Sequence, residues 1–206
     1  MNNDTKIFVE LPEFFFLRNT WLALLLDMQI HKGLFNNVEV SGICGCFPNM
    51  IWDGNKVCIS DNNVDSKTVE NVFSSYKKYN VDLIFTLTNL NITEKDLNDP
   101  YCDMIMEYAN QYKAQCNVVN IELENHIRSK YPNILINKSS IKNYIDDTYK
   151  FNNRCLSTYE QTISDCIKFL VKDIYFSQML NRYLKMAKNE INQLSKEKEK
   201  TCKFRQ

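Results

Sequence analysis

Short runs of β-branched and aromatic residues alternate along the chain with longer stretches of helical spacing, the pattern of a sheet whose parallel strands are joined by crossover helices. Lys6–Leu11 reads as the first strand, and Pro12 leads into a strongly apolar helix from about Glu13 to His31, closed by Gly33. Val38–Cys44 is the second strand, and a further short strand fits Lys56–Ser60. Asp65 or Ser66 caps a helix running to Lys78 with Val69, Val72, Phe73 and Tyr76 on its apolar face. Asp82–Thr88 is the third strand. The pair Asp99-Pro100 starts the next helix, whose buried face is expected to be Met104, Ile105, Tyr108 and Tyr112. Cys116–Ile121 is the fourth strand, Leu123, Ile127 and Tyr131 mark one side of a short helix ended by Pro132, and Ile134–Asn137 is the fifth.

The character changes after this point. Neither Gly nor Pro follows Pro132, and Ser157 with Glu160 forms a capping box for a long helix or helix pair. Tyr159, Ile163, Cys166 or Ile167, Leu170, Ile174, Leu180, Tyr183 or Leu184, Ala187, Ile191 and Leu194 recur in it, mostly at three- and four-residue steps. This stripe needs a cover, either the chain's own sheet or a helix of a partner. The division read from the pattern is an α/β domain over 1–150 and a helical extension with a charged tail over 151–206, the fold class being α/β with an open, mainly parallel sheet of about five strands.

Composition narrows the function classes. The 206 residues carry 25 basic and 25 acidic side chains, so no net charge argues for a nucleic-acid or membrane-surface protein. Arg18, Asn19 and Asp27 interrupt the most apolar stretch, which falls short of the roughly 18 uninterrupted apolar residues that span a bilayer. The opening Met-Asn-Asn-Asp is unlike a secretory signal, and a cytoplasmic location is expected. The eight cysteines are scattered through core-forming segments, which points to reduced thiols rather than a disulfide framework.

The stretch Val38–Asn143 resembles the front half of the (β/α) barrel proteins of the U32 peptidase family. The resemblance is carried, in order, by Cys46-Phe47-Pro48-Asn49-Met50-Ile51-Trp52-Asp53-Gly54-Asn55-Lys56, by Leu83-Ile84-Phe85-Thr86-Leu87-Thr88-Asn89, by Val118-Val119-Asn120, by Tyr131-Pro132-Asn133, and by Ile134-Leu135-Ile136-Asn137-Lys138-Ser139-Ser140. It covers about half the chain. It implies a partial barrel with ligands at the carboxyl ends of the strands, and in some members an iron-sulfur cluster held by cysteines of a second half. No such second half is read in the 206 residues, and a closed eight-stranded barrel takes roughly 250, so a partial (β/α) barrel or an open sheet is expected. A second copy or a partner subunit is a natural way to complete the barrel.

Strand ends are where such folds place function. They offer Cys44 and Cys46, Thr88 and Asn89, Asn120, and Lys138 and Ser139, to which a loop rich in the scarce glycines adds Trp52, Asp53, Asn55 and Lys56. Cys44 and Cys46 are the candidate reactive groups. The other residues are candidate contacts to a small polar or anionic ligand, with the tryptophan as a flat wall. No second cysteine pair accompanies Cys44-Gly45-Cys46 and the only histidines, His31 and His126, have no motif around them, so neither a metal nor another cofactor is expected. No phosphate-binding glycine pattern is present either. The competing reading is a catalytically inactive interaction or structural protein that associates through its C-terminal amphipathic helix.

Overall fold

Five strands form where the β-branched and aromatic runs lie: β1 (Ile7–Pro12), β2 (Val38–Gly45), β3 (Asp82–Leu87), β4 (Gln115–Val118) and β5 (Leu135–Lys138). They make one sheet in the order β1-β2-β3-β4-β5, every neighbour parallel. The computed structural model describes residues 7–35, 38–54, 62–138, 182–183, 185–193 and 196. The expected strand at Lys56–Ser60, the capping box at Ser157 and the boundary near residue 150 lie outside the described residues.

Helices α1 (Arg18–Ile30), α2 (Ser66–Lys77), α3 (Glu94–Leu97), α4 (Pro100–Tyr112) and α5 (Ile121–Lys130) fill the connections. Strands that pair in sequence order through right-handed crossovers leave their helices on one side of the sheet. Val9, Leu11, Val40, Ile43, Leu83, Phe85, Leu87, Cys116 and Val118 are buried in the resulting core. Its centre is aromatic, with Phe14, Phe47 and Phe73 each within 5.3–6.2 Å of the Phe85 ring.

Local chemistry accounts for the helix starts. Asp65 accepts the Thr68 N–H, Asp99 accepts the Cys102 N–H ahead of Pro100, and the Asn120 side chain accepts from Glu122 and Leu123. That last cap ends β4 at Val118, shorter than the expected Cys116–Ile121. The short α3, which hydrophobic period does not reveal, is held by a capping box between Thr93 and Asp96.

Two faces differ from expectation or extend it. On α2 the buried residues are Val69, Val72, Phe73 and Tyr76, as the spacing predicts. On α4 they are Cys102, Ile105, Met106 and Ala109, while Met104, Tyr108 and Tyr112 are only partly buried. Tyr108 and Tyr112 instead stack against Phe73 of α2 at 6.5 and 5.1 Å, so the large rings bridge neighbouring helices. Helix α1 is apolar on more than one side because it is covered twice. Residues 182–183 and 185–193 are helical, and Tyr183, Ala187 and Ile191 are buried in the common core. The Tyr183 hydroxyl donates to Asp27 and to the Ala23 carbonyl, and Thr20 Oγ1 donates to Glu190 at 2.6 Å. This part of the C-terminal stripe is thus covered by α1 of the same chain.

No helix among the described residues is long and apolar enough to cross a membrane. Among the described residues no disulfide joins Cys44, Cys46, Cys102 and Cys116 to one another.

Candidate functional site

The loops at the carboxyl ends of the strands are tied to one another. After β2 the chain makes a 3-10 turn at Ile51–Asp53, ended by Gly54 in the left-handed conformation at φ 78°. Three hydrogen bonds clamp this turn to the end of β3: Thr88 Oγ1 donates to the Asp53 carbonyl at 2.8 Å, Asn89 Nδ2 to the Ile51 carbonyl at 2.7 Å, and the Asn89 N–H to the Trp52 carbonyl at 3.2 Å. A Cβ on Gly54 would stand 3.3 Å from the Thr88 and Asn89 backbone, which is why glycine serves there.

This geometry reassigns several of the residues read from the sequence. Trp52 is no flat wall for a ligand: it is fully buried, and its indole N–H donates to the Asp96 carbonyl at 2.7 Å. Asp53 is buried as well. Asn120 spends its carboxamide on the α5 cap and on the Leu90 carbonyl at 3.1 Å. Thr88 and Asn89 are half-exposed, with the bonds above made to the turn. Cys46 is buried with its thiol 3.4 Å from the Thr86 carbonyl. Cys44 is half-exposed, its thiol 3.5 Å from a Glu10 carboxylate oxygen. That partner is an anion, not the histidine or cation that activates a nucleophilic cysteine. Lys138 ends β5 opposite Val118. Asn55, Lys56 and Ser139 lie outside the described residues.

Polar groups gather elsewhere, on the face of the sheet turned away from the helices. The parallel register aligns Thr86, Asn117 and Asn137 in one row across β3, β4 and β5. Strand neighbours stand about 4.8 Å apart, so adjacent side chains of such a row reach a common small molecule. Beside the row, Gln115 donates to Asp82 at 3.0 Å and accepts from Asn137 at 2.9 Å. Glu10 and Cys44 continue the face on β1 and β2. Cys44, Asp82, Thr86, Gln115 and Asn117 are half-buried, Glu10 and Asn137 are exposed, and Ile84 is the one buried apolar side chain among them, lying over Gly42. Among the described residues the Asn117 carboxamide has no hydrogen-bond partner.

Parallel strands usually read as continuous apolar runs because both faces are covered. The alternating polar positions Asp82, Thr86, Gln115, Asn117 and Asn137 depart from that rule, and this is the sequence signal that attention to strand ends passes over. Among the described residues, no group of three or more His, Cys, Asp or Glu stands together in a way that would hold a metal ion. Comparison with protein-family models, curated proteins and solved structures finds no match.

Proposed function

We propose that the chain binds a small polar ligand on the sheet face opposite the described helices, toward the carboxyl ends of the strands, through the row Thr86, Asn117 and Asn137. The observation that carries this reading is the half-buried Asn117 carboxamide, unpartnered among the described residues, within a polar row of an all-parallel sheet. Sequential parallel pairing is also the strand order of a (β/α) barrel, in keeping with a partial barrel; a divergent U32-like relationship and a cytoplasmic location are part of the same proposal. If bound ligand is turned over, Cys44 is the candidate reactive thiol on this face. Association through the C-terminal helix is the weaker reading, because α1 already covers Tyr183, Ala187 and Ile191.

Side-chain amide NMR during titration with a library of small polar compounds tests the proposal. Binding should move the Asn117 and Asn137 carboxamide signals together and weaken at least tenfold in Asn117→Leu, with the thermal midpoint held. Ligands that bind Asn117→Leu as well as the parent, or that leave the row's signals unmoved, would sink it.

A further inference from the structure

One ionisable group stands against the loop clamp and takes no part in the proposed binding face. His126 of α5 lies with its ring edge-on to Trp52, centroids 5.8 Å apart, and to Tyr131 at 6.4 Å. Its Nε2 is buried and has no hydrogen-bond partner. A neutral imidazole tolerates such a place, since one nitrogen is a lone-pair acceptor whose unmade bond costs little beside that of a buried charge.

We propose that His126 is a protonation-sensitive pin between the Ile51–Asp53 turn and α5, closed when neutral and loosened by mild acid. An imidazolium carries N–H donors on both nitrogens, and the one at Nε2 would have no acceptor where it is buried. The charged groups acting on the ring are Asp103 from α4 and Lys130 from α5 itself. The turn contributes uncharged Trp52, with Asp53 beside it, and α4 adds Cys102, whose thiol burial keeps protonated. Asp103 is already engaged: it accepts the Tyr131 hydroxyl at 2.6 Å and pairs with Lys130 at 2.7 Å. Relief of a charged His126 therefore means drawing Asp103 away from Lys130 and Tyr131 or moving the ring out from Trp52. Either movement reaches the clamp at the end of β3, because Trp52 is bonded to Asp96 and, through its carbonyl, to Asn89.

Burial holds the His126 pKa below its ordinary value of 6.5, with Lys130 adding to the effect and Asp103 opposing it. The sign follows. The closed state binds the proton more weakly than the loosened one, so its advantage is full at neutral pH and shrinks as pH falls through and below 6.5. Asp103 stays ionised across that range: burial acts to raise its pKa, but the Lys130 and Tyr131 hydrogen bonds hold it below the ordinary carboxylate value.

The pin stands apart from the ligand proposal. The chain has two histidines, so ring-carbon NMR of the intact protein over pH 4–8 follows both, and His126→Gln identifies which signal is which. The expected result is a His126 midpoint below 6.5, with the Trp52 indole N–H and the Asn89 amide signals moving at the same midpoint, and those movements lost in His126→Gln. A His126 midpoint at or above 6.5 overturns the pin. So does a Trp52 signal that stays still through the midpoint, or one that still moves in the glutamine variant.

Discussion

The two faces of this sheet obey different rules, although every strand contributes to both. Toward the helices, Val9, Leu11, Ile43, Leu83, Phe85, Leu87 and Cys116 are uniformly apolar and buried, because the element following each strand folds back onto that side. On the other side, Glu10, Cys44, Thr86, Gln115, Asn117 and Asn137 alternate with them, and polar side chains hydrogen-bond sideways along the sheet. The lesson is that sequential parallel pairing guarantees cover for one face only. The second face, opposite the described helices, carries the polar row Thr86, Asn117 and Asn137 in place of a continuous apolar run.

The sharpest way to break this comparison is Phe85→Ala on the helix side. Phe85 is fully buried among Phe14, Phe47 and Phe73, and its removal should cost about 3–5 kcal/mol in urea unfolding. A cost under about 1 kcal/mol would mean the aromatic centre is not close-packed. On the opposite face the costliest small change should be Gly42→Ala, since a Cβ there would lie 2.6 Å from Ile84 Cδ1 and 3.2 Å from the Asp82 carbonyl. Overpacking of this kind costs about 1–3 kcal/mol, less if the end of the Ile84 side chain swings away. An unchanged denaturant midpoint would show that Ile84 is loosely held and the face more open than its burial indicates.

The smallest expected effect concerns the second cover of α1. Burial raises the Glu190 pKa although Thr20 and Asn19 donate hydrogen bonds to its carboxylate. A raised folded-state value means that this group's contribution is present below the ordinary 4.5 and is lost as pH rises through the folded value. Glu190→Gln should therefore flatten that part of the stability profile and leave the protein slightly more stable at neutral pH. A variant whose thermal midpoint falls at pH 7 would show that the Thr20 bond to a charged Glu190 outweighs burial.

Much of the architecture was legible in the chain. The α2 face, the Asp99-Pro100 helix start and all five strands within a residue or a few follow from period and cap chemistry, both local properties. The clustered glycines were a true signal too: Gly54 supplies a left-handed turn end and Gly42 makes room for Ile84. Trp52, Asp53 and Asn120 were misread for one shared reason. Position after a strand says that a residue lies near the carboxyl end, but not whether its side chain faces a ligand or is spent on bracing the loops. The α4 face turned for a related reason, since Tyr108 and Tyr112 answer to Phe73 on a neighbouring helix that no helical period can report.

By itself, then, the sequence determined the α/β class, the parallel order of strand and helix, and the caps, because each depends on residues within a few positions of one another. Only the tertiary structure decided that Thr86, Asn117 and Asn137 share a row, that Trp52 is buried against His126, and that Tyr183 closes on α1. Those are meetings of residues far apart in the chain, set by strand register and helix packing, and no local pattern encodes them.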